Sequence, residues 1–348
     1  MKPYRYIIAL LAAVSCLSCV KPFDLDLDDD PIICLDAFPG IDDVVVFNIR
    51  PAYSLSNSAA RPEFDPEIVF TVNGKAVPVE KNTGFKFGES YPEDVYIADY
   101  KPVPGDEMIV EVSSEGFSTI HARTSIPLPF PERKIDYRQV DIGDREYYLI
   151  YVTFNDDSRT DYSYGLSVLN ESIYYWEGRE PEVNAYSYAG SQISDDFALA
   201  PESLDGMNVS FSGWKMNSSM RAAACWDGSA FNGQEKTLSM TVVPTSWQNG
   251  YEYFFEREST AYRYDDYGEV LEECRMLVHN KILMYSMSDE FYKYAVAQEL
   301  ISDNAGIFAG IAPSNFCYSN VENGYGAFAG VYCVETDWIT PEFIENNR

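Results

Sequence analysis

The sequence predicts an all-β chain: an N-terminal immunoglobulin-like β-sandwich, then a larger β-sandwich-type domain carrying one short helix. Three observations predict this. Apolar residues alternate with polar ones over many short runs, as they do in strands with one buried face. Glycine-containing turn pairs separate the runs. A proline-rich stretch, Ile126 to Lys134, divides the chain.

The N-terminal unit is expected over 32–126. Its strands are read in Val44–Tyr53, Glu67–Glu80 and Glu107–Thr124. Asn73-Gly74 and Glu115-Gly116 mark the turns, since an Asn-Gly pair tolerates the positive φ that a tight hairpin needs. In "VPGDEMIVEV", Met108, Val110 and Val112 alternate with Ile109, Glu111 and Ser113. Several short strands at this spacing match an immunoglobulin-like sandwich. The linker is placed at 127–134, where alternate prolines remove ladder donors and hold the chain extended.

The larger domain is expected over 135–348. Arg145–Asp156 and Ser163–Trp176 read as a long hairpin around the acidic turn "NDDSRTD". Further strands are expected in "MNVSFSGWK", "KTLSMTVVPTS" and "CRMLVHNKILMYSMS". Ser288 to Asp303 reads as a helix. Ser288 is the N-cap, with Asp289 and Glu290 in the first turn opposing the helix dipole. Phe291, Tyr294, Ala295, Gln298 and Ile301 fall on one helical face, expected to pack on a sheet.

The first residues read as an export signal. Lys2 and Arg5 precede an apolar run from Ile7 to Val14, about the length of a signal-peptide core and too short to span a bilayer. A cysteine behind small residues at the end of such a run is the mark of a bacterial lipoprotein. Cys19 is favoured as the lipidated residue: Ser18 precedes it, and a polar, proline-containing sequence follows at once. Cys16 is the alternative. The signal is then residues 1–18, and 19–31 is an acidic tether holding "DLDLDDD" (Asp24–Asp30). Acidic residues behind a lipidated cysteine resemble the signal that sends Bacteroidota lipoproteins to the cell surface. Lys21, Pro22 and Phe23 intervene here.

The formal net charge is −30. Nucleic acid and anionic membrane surfaces are repelled by such a chain, so no nucleic-acid partner is expected. The expected attachment to a membrane is through the lipid alone. Of the other cysteines, Cys317 and Cys333 flank one glycine-rich region and are the best-placed pair if a disulfide forms; buried free thiols are the favoured reading.

Chemistry-bearing motifs are scarce. The two histidines, His121 and His279, each lie in a strand-like run. No nucleophile elbow, zincin motif, P-loop or dinucleotide fingerprint occurs. No catalytic residue, metal site or cofactor is expected, and the chain is not expected to be an enzyme. The acidic turns Asn155–Asp161 and Tyr264–Glu269 are the only candidates for calcium; neither has EF-hand spacing. Aromatic clusters are the candidate binding surfaces. Tyr174, Tyr175, Trp176, Tyr186 and Tyr188 surround one loop, and Tyr251–Tyr267 forms a second cluster. Exposed aromatic rings stack on sugars or anchor partners; strand alternation with one buried face explains many of them equally.

Four segments carry a family resemblance: "SCVKPFDLDL", "VPGDEMIVEVSSEGFSTIHARTSIP", "LMYSMSDEFYKY" and "PSNFCYSNVENGYGAFAGV". Together they resemble the Bacteroidota outer-membrane lipoprotein family termed domain of unknown function four-two-four-nine. "SNVENGYGAFAG" is the most specific piece. Members are often encoded beside TonB-dependent receptors. The resemblance therefore implies a lipid-anchored outer-membrane protein, cell-surface exposed or else periplasm-facing, that is accessory to uptake through such a receptor. The family carries no established catalytic residues. The alternative function is a stand-alone carbohydrate- or peptide-binding surface module, resting on the aromatic loops.

Overall fold

The computed structural model describes residues 30–53, 61–84, 91–142, 145–156, 162–188, 207–211, 213, 221–228, 231, 233–242, 256–265, 267–303 and 318–340. Over these residues the chain is an all-β, sandwich-type fold with one helix.

The first sandwich is built from β1 (Ile32–Ala37), β2 (Val45–Ala52), β3 (Glu67–Val72), β4 (Lys75–Val77), β5 (Glu80–Lys81), β6 (Tyr96–Ala98), β7 (Glu107–Ser113) and β8 (Ile120–Ser125). One sheet has the order β4-β3-β7-β8. In β7, Met108, Val110 and Val112 are buried while Glu107, Ile109 and Glu111 are exposed. The alternation read from sequence is thus the inward face of this strand. Asn73 and Gly74 turn β3 into β4 at φ of 51° and 75°, and Gly116 lies at 82° between β7 and β8.

The second sheet has the order β18-β1-β2-β6-β5. Its outer strand, β18 (Tyr325–Phe328), comes from the far end of the chain and pairs with β1 in parallel. Division of the chain at a single linker does not describe this sheet, because β1 is completed by residues nearly 300 positions later in the chain. Phe328 is fully buried beside Phe47 and Phe70 in the first core.

The proline-rich stretch joins two cores. Ile126 is buried in the first and Phe130 in the second. Ile126 is also fastened by its backbone: its N–H donates to Asp106 O at 2.9 Å, and its O accepts from Gly105 N–H at 2.8 Å.

The second sandwich sets a three-stranded sheet, β9 (Arg133–Ile142), β10 (Arg145–Asn155) and β15 (Glu235–Val242), against a seven-stranded one. The larger sheet holds β11 (Ser163–Tyr175), β12 (Glu182–Tyr188), β13 (Met207–Phe211), β14 (Arg221–Trp226), β16 (Arg257–Tyr264), β17 (Val270–Met287) and β19 (Val331–Glu335). The expected β10–β11 hairpin does not form. β10 pairs with β9 and β15, while β11 pairs with β12, β14 and β17. The physical reason is the shared core. Ile150, Val152 and Phe154 of β10 face Tyr164, Leu166 and Val168 of β11, and two strands that bury their faces against each other belong to opposite sheets.

The helix α1 (Asp289–Asp303) covers the other face of the seven-stranded sheet. Ser288 caps it: Phe291 N–H donates to Ser288 Oγ at 3.2 Å. Phe291 and Ala295 are buried there with Leu283 and Tyr285. Gln298, expected on the packed face, is exposed, and Ala297 is buried instead. A long amide reaches water more cheaply than it packs against Tyr and Leu side chains.

The segment 318–340 ties the two sandwiches together. His121 and Glu322 exchange backbone hydrogen bonds at 3.2 and 2.8 Å. Asn320 bonds both the N–H and the O of Phe328, at 2.9 and 2.8 Å. Ala329 N–H donates to Ala37 O at 3.1 Å, and Gly330 N–H donates to Thr124 Oγ1 at 2.9 Å. Ser288 N–H, at the helix cap, donates to Gly330 O at 3.0 Å. From Val331 onward the chain becomes β19 on β17. The glycine-rich motif is therefore a clasp between the units.

Candidate functional site

β11 and β17 pair along 13 residues, and the sheet around them has two ends. Near Ser163 and Met287, one face is covered by the three-stranded sheet and the other by α1. At the other end the strand order is β12-β11-β17-β16. Here a separate small cluster forms from Tyr174, Ala261, Cys274, Met276 and Val278, with Trp176 packed on it. Over this cluster lies a cleft of about 390 Å³, within the usual size of small-molecule sites (roughly 300–1,000 Å³).

Tyr174 and Trp176 of the β11 end form one wall of the cleft. Their ring planes lie within 8° of each other, with centroids 6.3 Å apart. Two-residue spacing along a strand puts both on one face. Glu182 and Asn184 follow from β12, where register sets Glu182 opposite Tyr174 and Asn184 opposite Ser172. Trp176 Nε1–H donates to Glu182 Oε2 at 3.3 Å. The edge strand β16 supplies Tyr262, Arg263 and Tyr264. Arg263 lies 3.7 Å from Glu272, which also pairs with Arg179 at 3.2 Å.

Burial pushes the Tyr174 phenol above its ordinary range, with side-chain hydrogen bonds to Asn184 and Ser172 acting the other way. Tyr174 is therefore a neutral hydroxyl at neutral pH. The cleft offers aromatic faces, a phenol, an amide, a carboxylate and a guanidinium. Among its described lining residues no nucleophile stands next to a base, and none of the described residues forms a group of three or more metal-ligand side chains.

Of the residues singled out by sequence, Tyr174 and Trp176 come together here. Tyr175 does not. It points to the opposite face, where the Arg275 guanidinium lies 4.2 Å from its ring centroid and Arg275 in turn pairs with Glu258 at 3.1 Å. Consecutive strand residues alternate sides, so a Tyr-Tyr-Trp run cannot line one surface. Tyr186 and Tyr188 lie in β12, opposite Asn170 and Val168 in register. Cys19 and Cys317 lie outside the described residues, and with Cys317 the candidate Cys317–Cys333 disulfide; Cys34, Cys225 and Cys274 are free thiols. Sequence reading missed Glu182, Asn184 and Arg263 as partners of the aromatics. Their signal lay only in strand alternation on both sides of a loop and in a pairing across about 100 residues.

The described aspartates of the two acidic segments are taken up by protein hydrogen-bond donors. Asp156 accepts from the Tyr164 hydroxyl at 2.7 Å and from Gly233 N–H at 2.9 Å. Asp265 accepts from Tyr267 and Glu269 N–H at 2.9 and 2.8 Å. Asp157–Asp161 and Asp266 lie outside the described residues.

His279 is a structural centre. Its side chain is 6% exposed, and Nε2 meets Glu171 Oε1 at 2.7 Å. Trp338 stacks on the ring at 3.4 Å between centroids and 7° between planes. Lys281 lies over the same Trp338 ring at 4.6 Å. The imidazole pins residues 336–340 to β17, backed by Ile339 N–H donating to Asn280 O at 2.8 Å. A His279→Ala variant strips Glu171 and Trp338 of their partner and is expected to lose on the order of 2–4 kcal/mol of stability in urea titration. His121, by contrast, is 45% exposed on β8 beside Glu111 at 3.3 Å.

Fold and site define an all-β double sandwich with an open aromatic cleft at one sheet end. The chain belongs to the family described as Domain of unknown function (DUF4249), whose model matches residues 20–336. Neither the curated proteins nor the solved structures contain a match to it.

Proposed function

We propose that this chain is a non-catalytic binding protein of the outer membrane, lipid-anchored through Cys19 and accessory to a TonB-dependent uptake system. The cleft at the β12-β11-β17-β16 end is the observation that carries the reading. Its described lining combines aromatic rings with hydrogen-bonding groups, as binding sites do. The clasp of residues 318–340 supports it too, since it fastens the anchored first sandwich to the sandwich that bears the cleft. A rigid connection lets the tether set where the cleft is presented. The acidic tether behind Cys19 favours the cell-surface side.

The test is co-purification after mild cross-linking in intact cells. A TonB-dependent receptor is expected to accompany the wild-type chain, and its transport is expected to fall when the chain is deleted. A chain that isolates alone, beside a receptor that transports normally in the deletion strain, contradicts the accessory role. In that case the same cleft serves a stand-alone binding module.

A further inference from the structure

We propose that the cleft takes a neutral sugar, one or more pyranose units of an oligosaccharide. This names the ligand class of the cleft and rests on the reading of that cleft as the working site. Charge is the first argument. Glu182 and Arg263 are the charged residues lining the cleft among the described residues. Glu182 receives the Trp176 N–H, and Arg263 shares Glu272 with Arg179. The charges balance locally, although the whole chain carries −30. One carboxylate and one guanidinium line the cleft, so its net charge selects neither an anion nor a cation.

Shape is the second argument. Trp176 lies parallel to the buried Tyr174 and is the stacking ring at the cleft, with the exposed Tyr262 and Tyr264 also in the lining. A pyranose has an apolar C–H face of matching flatness, and successive units of a chain repeat it. An extended peptide presents side chains alternately to two sides and offers no such flat face.

The polar groups are the third argument. Sugar hydroxyls both donate and accept. Asn184 supplies both functions in one amide, Glu182 accepts, and Arg263 donates in a planar fork. Groups of this kind around an aromatic floor fix orientation while the rings supply affinity.

The probes are cellohexaose, maltohexaose, mannohexaose and xylohexaose, with hexagalacturonate and hexalysine as charged comparisons. Each is titrated calorimetrically into the full mature chain. At least one neutral hexasaccharide is expected to bind with Kd below about 1 mM. Trp176→Ala is expected to weaken it at least about tenfold while the chain still unfolds in one cooperative transition well above the titration temperature. Arg263→Ala, at the polar edge and away from the cluster, should weaken it as well and guards against a folding effect of the first variant. Failure of all four neutral sugars, or binding indifferent to both substitutions, overturns the proposal. Binding of a charged probe that depends on Trp176 overturns the sugar class while leaving the cleft as the working site. Indifference of every probe to both substitutions removes the cleft itself.

Discussion

Replacing Gly330 by alanine is expected to unfold the protein or bring it close to unfolding. A Cβ built at Gly330 meets Ser125 O at 2.1 Å, in backbone that cannot give. Gly330 is also where the clasp meets both sandwiches, through Thr124 and Ser288. Gly326→Ala belongs to the same class: its Cβ meets Leu35 O at 2.0 Å, and its φ is +122°. Separating β18 from β1 to relieve that clash would open the first core around Phe328. Each change is expected to lose about 4 kcal/mol or more, which is most of the stability of many domains. Gly74→Ala is the control. Its Cβ finds open space and only the positive φ is strained, so about 1–2 kcal/mol is expected. Urea midpoints of the three variants measure the contrast. Equal losses at Gly74 and Gly330 would contradict a clasp built on close backbone approach.

The second large effect concerns the anchor. Cys19→Ala is expected to move the protein from the membrane pellet to the soluble fraction. On the proposed lipidation of Cys19, three acyl chains would exceed the two membrane signals that stable attachment takes; no helix among the described residues is long and apolar enough to cross a membrane. Fractionation with globomycin treatment as a comparison reads this out. Cys16→Ala is expected to leave attachment unchanged. Replacing Asp24, Asp26 and Asp28–Asp30 by asparagine is expected to preserve attachment but protect the chain from protease added to intact cells.

Much of the fold was legible because strands write their burial into alternation. β7 shows this most plainly: Met108, Val110 and Val112 face inward as their spacing requires. Turns were legible where glycine meets a positive φ, as at Gly74 and Gly116. Strand partners were not legible. β10 and β11 are neighbours in sequence, joined by an acidic turn that suits a hairpin, yet they face each other across a core. Alternation fixes which face is buried and is silent on what covers it. The same limit hid the return of β18 to β1. The glycines of "NGYGAFAG" signalled close approach, but not that Leu35 and Ser125 are the backbones approached.

The site was legible in half. Tyr174 and Trp176 stood out as aromatics, and their two-residue spacing puts them on one surface. The same rule sends Tyr175 to Arg275 on the other face. Arg263, Glu272 and Arg179 meet only through the β16–β17 register and the loop after Trp176. No local pattern in the sequence links those three positions.

The account turns on the cleft as the part of the molecule that acts. The most direct measurement is uptake in a deletion strain complemented with a Trp176→Ala, Arg263→Ala double variant. The variant must first be shown to reach the membrane at wild-type level and to unfold in one cooperative transition well above the growth temperature. Uptake through the proposed partner receptor is then expected to be as low as in the uncomplemented deletion strain. Uptake at the wild-type rate would contradict the account, because a correctly folded and anchored chain would be working without its cleft.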